Sequence, residues 1–325
     1  MGSSYFGRKL VHAFVTLVLV VVVNFLLFRM MPGSPERILL HNAKLLPPDV
    51  VATLQARWGL DKPLFPDQLV AYLASTAQLD FGPSFKYGGL GAMEVVAGRI
   101  GPTVLLLGLG EIIAIFVGLG LGAAAGWRRG KWPDHVGTTF SLVAYSMPYF
   151  WPGMIAIVIF STALGWFPSF GMSSAGANYD SPFALIWDYG SHLILPVTVL
   201  SVGLIGEFSL LMRSSLIDVL AEDYVQTARA KGLTEGRVLR SHALPNALLP
   251  TVTLISISLG YILAGAITLE VVFSWPGLGT LTVEALDARD YNVLQAIFVL
   301  LSISVIVANL LSDVLYGFLD PRVKT

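Results

Sequence analysis

Six long apolar runs dominate the chain, and each is long enough to cross a lipid bilayer. A transmembrane α-helix needs roughly 20 mostly apolar residues to span a hydrocarbon layer about 30 Å thick. The runs occupy residues 10–28, 103–127, 136–164, 192–212, 248–273 and 293–318. In hydrocarbon such runs must satisfy their own backbone hydrogen bonds, which favours helices. The sequence therefore predicts an all-α integral membrane protein with six transmembrane helices embedded in membrane lipid.

Composition agrees with this prediction and excludes several classes of function. Charged residues make up 13% of the chain, about half the share typical of soluble domains. The net charge of −1 gives no reason to expect nucleic acid as a partner. The absence of cysteine excludes disulfides, thiol catalysis and Cys-ligated metal in this chain. The first run is too long for a signal-peptide core and lacks a cleavage site, so we interpret it as a retained span.

Lysine and arginine predict the orientation. If the N-terminus is cytoplasmic, twelve lysines and arginines lie inside, seven lie in the connection at 29–101, and only Arg289 lies in a short outside connection. The connection at 29–101 is too long to count under this rule. We therefore expect both termini in the cytoplasm and residues 32–101 outside. The basic residues expected inside are Arg8, Lys9, Arg128, Arg129, Lys131, Arg213, Arg229, Lys231, Arg237, Arg240, Arg322 and Lys324.

Two helices are predicted within the long connection. Asp49 follows two prolines and can begin the first, and Asp67 can begin the second. Apolar residues at helical spacing follow each aspartate: Val51, Leu54 and Trp58, then Leu69, Tyr72 and Leu73. The connection is either a cap that packs on the membrane surface or a docking surface for an outside partner. For docking, Trp58 and Tyr72 are the candidate contact residues.

Glycines and prolines within the spans predict close packing and a bend. Gly118, Gly122 and Gly126 recur every four residues, a spacing that lets another helix approach closely. Pro148 and Pro152 should kink or interrupt the third span. The bend either lines a pathway, with Tyr145 and Met147 as candidate residues, or serves packing alone.

Three carboxylates lie in or near the spans: Glu111, Glu207 and Glu270. An acid at mid-membrane is costly, so such residues usually face the bundle interior. Glu270 should sit near the outer end of its span, where water is close. Each glutamate either lines a polar translocation pathway or bonds to a neighbouring helix.

The motifs of catalysis and metal binding are missing from the sequence. The five histidines are scattered, without an H-E-x-x-H pair, and there is no G-x-S-x-G elbow. The basic stretch GWRRGKW lacks the spacing and hydroxyl of a phosphate-binding loop. We therefore predict a non-catalytic protein that holds no cofactor or metal, and passage or signalling as its task.

The most polar long stretch of the C-terminal half is EDYVQTARAKGLTEGRVLRSHALPNALLP, residues 222–250. Leu220, Tyr224 and Ala228 fall at helical spacing on one face. Gly232 suits the left-handed conformation that ends a helix, and Thr234 can begin a second one. The pattern predicts two helices joined by a sharp turn. They either enter a groove on a partner protein or lie on the lipid headgroups.

This stretch resembles a cytoplasmic motif of the membrane subunits of ATP-binding-cassette (ABC) importers, E-A-A-x-x-x-G-x(9)-I-x-L-P. With the motif's glycine on Gly232, Ala228 matches its second alanine, and Leu244 and Pro245 match its end. The departures are Gln226, Thr227 and His242. With these departures, the chain resembles the first permease subunit of the oligopeptide/dipeptide branch. Further similar stretches are MPGSP after the first run, SMPYFWPG at 146–153, VVFSWPGLGTLTVEALDARDYNVLQA at 271–296 and FLDPRVK near the end.

The resemblance implies the type I ABC importer transmembrane fold in a bacterial plasma (inner) membrane. It divides the chain into an N-terminal tail and helix (1–31), an extracytoplasmic helical loop (32–101) and a five-helix core (102–325). The implied partners are a second, homologous permease, two ABC ATPases that bind ATP and Mg, and an extracytoplasmic substrate-binding protein. Family cargoes include dipeptides, oligopeptides, glutathione and nickel chelates. The alternative that the residues leave open is an ion-coupled secondary transporter.

Within the core, the resemblance assigns the coupling to the ATPases to residues 213–246, here named the coupling loop. The implied coupling residues are Tyr224, Ala228, Arg229, Lys231, Gly232, Leu233, Leu244 and Pro245. A rigid helix pair is needed for this task, because a flexible loop would absorb the motion of a partner.

Overall fold

The structure is a computed structural model. It describes residues 3–30, 63–262 and 266–319, with isolated positions at 49, 52 and 53. Most of the helix predicted after Asp49, including Trp58, lies outside the described residues. The second predicted helix of that connection is confirmed, since Leu69–Ala77 is helical.

The described residues are mostly helical. We number the α-helices in chain order as α1 (Ser3–Met30), α2 (Leu69–Ala77), α3 (Ala92–Trp127), α4 (Trp132–Ser146), α5 (Phe150–Ala156), α6 (Pro182–Leu220), α7 (Asp223–Ala230), α8 (Glu235–Val238), α9 (Leu244–Tyr261), α10 (Ile267–Val272), α11 (Leu278–Asp287) and α12 (Tyr291–Leu319). Short π-helical stretches precede α2 (Leu64–Gln68), extend α5 (Ile157–Ala163) and join α8 to α9 (Leu239–Ala243).

Six spans are consistent with the described helices. Five segments are long and apolar enough to cross a membrane: Gly7–Arg29, Ala92–Trp127, Pro182–Leu220, Glu235–Tyr261 and Tyr291–Ser312. A bent pair, in which Trp132–Ser146 and Phe150–Ala163 meet at an angle of 100°, has the length and composition of a sixth span if the two helices cross as one. Met147 has extended backbone angles at the break, because the following Pro148 disfavours the helical conformation. The predicted interruption at Pro148 is therefore confirmed.

The chain divides into two compact units. The first comprises residues 1–100 and 281–310, and the second comprises residues 101–280 and 311–325. In the first unit α2 packs on α1, where the Asn24 amide donates to the Tyr72 hydroxyl at 3.1 Å. The rings of Phe25 and Tyr72 lie 5.3 Å apart at their centroids.

A buried aspartate also organises the first unit. The Asp290 carboxylate accepts hydrogen bonds from the Ser84 hydroxyl at 2.5 Å and from the backbone N–H groups of Phe85 and Lys86 at 2.9 and 3.1 Å. Nearby, Glu284 accepts from the Tyr87 hydroxyl and lies 3.1 Å from the Lys86 ammonium. These contacts fix the segment before α3 against the residues that join α11 to α12.

In the second unit the glycine-rich face of α3 lies directly on α6. A Cβ on Gly118 would meet Phe208 Cβ at 2.8 Å, and one on Gly126 would meet the Arg213 carbonyl oxygen at 3.0 Å. At Gly122 an added Cβ would clash with the Ser209 carbonyl oxygen. The predicted close packing is confirmed, because any side chain at these positions would push the two helices apart.

Candidate functional site

An open cleft of about 330 Å³ lies within the second unit. Residues of α3, α6 and α9 form most of its wall, and Tyr149 lies at the break between α4 and α5. The lining residues are Leu107, Glu111, Tyr149, Leu200, Leu204, Glu207, Leu254, Ile257, Ser258, Tyr261, Ile262 and Ala266. The cleft thus combines an apolar wall with a few polar groups, which is the usual make-up of a site for a small molecule.

Two of the three predicted pathway carboxylates meet in this cleft. Glu111 on α3 is buried and accepts a hydrogen bond from the Ser258 hydroxyl on α9. Glu207 on α6 is half-buried and lines the same cleft. The described lining residues include no lysine, arginine or histidine, so no basic side chain among them offsets the two acids. Such an arrangement favours cationic groups.

The third carboxylate, Glu270, has different surroundings from those predicted. It has no exposed surface, although the sequence suggested a position close to water. Thr103 donates its hydroxyl to Glu270 at 2.9 Å, and the backbone N–H of Thr280 donates at 3.1 Å. Glu270 does not line the cleft. Its surroundings therefore match the alternative role, in which it bonds to neighbouring segments.

The other predicted contact residues are also separate from the cleft. Tyr145 is exposed and Met147 half-buried, and neither lines it. Tyr149, which the sequence analysis did not select, does line it, and its ring packs where a Cβ on Gly203 would stand. Tyr72 packs against α1 through Asn24 and Phe25, as expected for the cap alternative.

The coupling loop forms two helices around a glycine turn, as predicted. Helix α7 ends at Ala230, and Gly232 follows two residues later at φ +78°, in the left-handed region. The Gly232 N–H donates to the Arg229 carbonyl at 2.9 Å, and the Leu233 N–H donates to the Ala228 carbonyl at 3.4 Å. This pair of bonds is the Schellman motif, which satisfies the last carbonyls of a helix. Thr234 precedes α8 in the N-cap position, although its side chain makes no capping bond.

The predicted apolar face of this loop is wrong. Leu220 belongs to α6, whereas α7 begins at Asp223, so their spacing does not run along one helix. Tyr224 is 42% exposed. The buried residues are instead Val225, Ala228 and Val238, which form a small core between α7 and α8.

Ala228 is consequently part of the buried core of the loop. It is 5% exposed, and Leu233 packs on the same core. The small side chain of Ala228 thus packs between α7 and α8, and a contact of Ala228 with a partner's groove stays a prediction. The Arg229 guanidinium bridges the turn, with Nε 3.0 Å from Glu235 Oε1.

The base of the loop is anchored on the ends of the long helices. Ala243 and Ala247 are buried with Met212 and Leu216 of α6. Leu244, one of the predicted coupling residues, packs on this cluster, while Pro245 is exposed. The loop is thus a packed projection with a core at its tip and another at its base.

Several residues of these sites carry no local signal in the sequence. Ser258 has ordinary neighbours, whereas Tyr149 directly follows Pro148 in the predicted bend, and only the tertiary packing brings both residues to the cleft. Asp134 and Arg213 form an ion pair at 2.5 Å although they are far apart in the chain. The sequence shows Asp134 in the first turn of a helix and Arg213 at the end of an apolar run, but neither position indicates that the two residues pair.

Comparisons with known proteins place the whole chain among transport proteins. Residues 117–325 match the family described as binding-protein-dependent transport system inner membrane component, and residues 3–83 match its N-terminal family. A protein of Brucella ovis named as a peptide permease is 37% identical over 303 residues, covering 93% of each chain. The glutathione transport system permease protein GsiC of Salmonella choleraesuis is 37% identical over 321 residues, covering 99% of each.

A solved structure shares the fold. It is that of the MetNI methionine ABC transporter in inward-facing conformations, with a TM-score of 0.54 and 17% identity. The match covers 70% of the present chain and 97% of that chain. It shows that the helices form a type I ABC importer transmembrane fold.

Proposed function

Because the chain belongs to the family of inner membrane components of binding-protein-dependent transport systems, it is a permease subunit of an ABC importer, and we propose that its cargo is a peptide. The relatives carry this proposal. One is named as a peptide permease and the other as a glutathione permease, and glutathione is itself a tripeptide. The family implies ATPase and substrate-binding protein partners in general. ATP and Mg would be bound by those ATPases.

We propose that the chain supplies half of a heterodimeric pore, with a second, homologous permease as the other half. Both termini and the coupling loop would face the cytoplasm, as the distribution of lysine and arginine predicts. The substrate-binding protein would dock on the opposite side. Tyr72 is a weak candidate for that contact because it packs on α1, and Trp58 stays a prediction.

The coupling loop would receive the motion of an ATPase subunit. The two helices share a buried core of Val225, Ala228 and Val238, so a push on either helix is passed to the other. The exposed side chains available to a partner include Tyr224, Lys231 and Pro245. The base of the loop packs on α6, which also lines the cleft.

The cleft would form part of the translocation pathway, with Glu111 and Glu207 facing the cargo. Every peptide with a free N-terminus carries an ammonium group at neutral pH. Two carboxylates without a basic neighbour among the described lining residues favour such a group whatever the peptide's sequence. The apolar wall would contact the rest of the cargo. Glu270 would hold the fold together from its buried network.

Reconstitution tests the proposal. The chain is purified with its second permease and ATPases, placed in proteoliposomes, and supplied with the binding protein and a labelled dipeptide, oligopeptide or glutathione. We expect uptake that requires ATP and the binding protein and that persists when a protonophore removes the ion gradient. Uptake driven by an ion gradient without ATP would instead identify a secondary transporter.

Variants of the cleft refine the test. Glu111→Gln and Glu207→Gln should each slow uptake of a peptide while leaving binding of that peptide to the binding protein unchanged. Leu286→Gln is the matched control, because Leu286 is exposed and lies outside the cleft. Normal uptake by the variant that carries both glutamate substitutions would remove the two residues from the pathway.

A further inference from the structure

A partly buried ion pair joins α4 to α6 at Arg213, the first residue of the coupling loop. Arg213 donates from Nε to Asp134 Oδ1 at 2.5 Å and from Nη2 to Oδ2 at 3.0 Å. The Asp134 side chain is 4% exposed and that of Arg213 is 27% exposed. Asp134 also accepts from the Gly130 N–H at 2.8 Å and from the Thr138 hydroxyl at 3.1 Å. One carboxylate therefore ties together the turn before α4, α4 itself and α6.

The two helices also touch along their length. A Cβ on Gly206 of α6 would lie 2.5 Å from the Ser141 carbonyl oxygen and 2.9 Å from the Tyr145 nitrogen. Ser141 and Ala144 are buried on the facing side of α4. Close backbone packing holds the helices together in the middle, and the bidentate ion pair fixes one end. Relative sliding or rotation of the helices would break both arrangements.

The end of α6 beyond the ion pair carries helices α7 and α8 of the coupling loop. Leu216 packs in the cluster that contains Ala243, and both Val219 and Leu220 pack on the core formed by Val225, Ala228 and Val238. Along α6, the ion pair thus stands between helices α7 and α8 of the coupling loop and Glu207, one of the residues of α6 that line the cleft. A displacement of the loop reaches α6 through these contacts.

We propose that Asp134 and Arg213 are positioning residues that make α4 follow α6 when an ATPase displaces the coupling loop. Through α4 the motion reaches the break at Met147–Pro148 and the cleft residue Tyr149. Tyr149 and the residues of α6 that line the cleft therefore move together. The proposal rests on the proposed function for the source of the motion. The rigid link between α4 and α6 rests on the contacts of the chain itself.

Two measurements on the assembled complex in lipid nanodiscs test the link. Because the chain has no cysteine, nitroxide labels at Val136→Cys on α4 and Asp218→Cys on α6 report one interhelix distance. Both positions are exposed. In the wild-type background we expect the same distance distribution without nucleotide and with trapped ATP. With Asp134→Asn and Arg213→Gln together, the distribution should broaden and differ between the two states.

The second measurement is the stimulation of ATP hydrolysis by binding protein and peptide. Removing both charges avoids leaving one buried charge unpaired, so the complex should still assemble. We expect its stimulation to fall at least about tenfold, because the variant loses both charge-assisted hydrogen bonds of the pair and the loss of one already corresponds to about that factor. Thr138→Val is the matched control, because it removes one partner of Asp134 but leaves the ion pair, and it should keep wild-type stimulation.

The outcomes separate the two proposals. A nucleotide-dependent distance in the wild-type background, or normal stimulation in the double variant, would overturn the role of the ion pair. Failure of the double variant to assemble would also overturn it, because the pair would then serve folding alone. A wild-type complex without peptide-stimulated hydrolysis would contradict the proposed function, while the distance measurement would still test the link.

Discussion

Replacing Gly232 with alanine tests whether the turn of the coupling loop must be fixed. Gly232 has φ +78°, and no atom outside its immediate surroundings lies within 4 Å of a Cβ built there. An added methyl group therefore clashes with nothing, and the penalty arises from the backbone conformation alone. For an L-residue the left-handed conformation costs about 1–2 kcal/mol relative to the right-handed one.

This cost sets the expected size of the effect. At 25 °C about 1.4 kcal/mol corresponds to a factor of ten, so the opened turn should become about 5–30 times more populated in Gly232→Ala. The N–H groups of Gly232 and Leu233 donate the two bonds that close the turn. Opening the turn exposes both amides to solvent. Their hydrogen exchange should accelerate by the same factor.

Hydrogen exchange followed by mass spectrometry on the assembled complex measures this acceleration. Gly236→Ala is the matched control, because Gly236 lies within α8, has no positive φ and also has open space around it. Alanine favours a helix by about 1 kcal/mol over glycine, so exchange in the control should stay the same or slow down. Gly232→Asn should fall between wild type and Gly232→Ala, since asparagine tolerates the left-handed region better.

The same variants connect the turn to function. If an ATPase acts on the folded loop, Gly232→Ala should reduce peptide-stimulated hydrolysis, and Gly236→Ala should not. Equal exchange rates in the two variants would refute the reasoning, because the backbone cost would then be absent. Faster exchange with unchanged stimulation would show that the turn is strained as described but that its rigidity is not used in coupling.

Three further predictions concern packing and charge. Gly122→Leu should abolish a stable fold in detergent thermal unfolding, whereas Gly120→Leu should be tolerated, because only Gly122 lies against the backbone of another helix. Ala228→Leu should destabilise the loop by about 1–3 kcal/mol through overpacking, seen as faster exchange across α7 and α8. Burial opposes ionisation of Glu284, but the hydrogen bonds from Tyr87 and Lys86 and the positive charges of Lys86 and Arg99 together outweigh it and lower the carboxyl pKa. The stabilisation from Glu284 is therefore complete above the ordinary pKa of a glutamate and is lost as pH falls through the lowered pKa. Proteolysis of segment 84–90 should increase over that fall in pH. In Glu284→Gln the stabilisation is already absent, so proteolysis of the segment should not change over the same range.

The sequence predicted those features that depend on short-range rules. Six apolar runs, the interruption of the third run at Pro148 and the left-handed Gly232 all follow from neighbours along the chain. The glycine spacing in α3 also predicted close helix contact, although it could not identify α6 as the partner. In each case the residues that determine the feature lie within one short segment of the chain.

The failures share a different origin. The face predicted from Leu220, Tyr224 and Ala228 crosses the end of α6, and Glu222 begins a new helix in the N-cap position. Periodicity counted across such a boundary has no meaning, and the core instead uses Val225 with Ala228. The buried state of Glu270 could not be predicted either, because its partner Thr103 comes from another helix.

The long helix α6 connects the cleft to the coupling loop. Its residues take part in the cleft at Glu207, in the ion pair at Arg213 and in the base of the coupling loop at Leu216. At 1.5 Å per residue, Glu207 and Leu220 are separated by about 20 Å along one continuous helix. A helix transmits a displacement over that distance because stretching it would break its backbone hydrogen bonds. If the loop receives the motion of an ATPase, as proposed, the polar stretch at 222–250 must be as firmly packed as α6, because any soft segment between the outer surface of the loop and the cleft would absorb that motion.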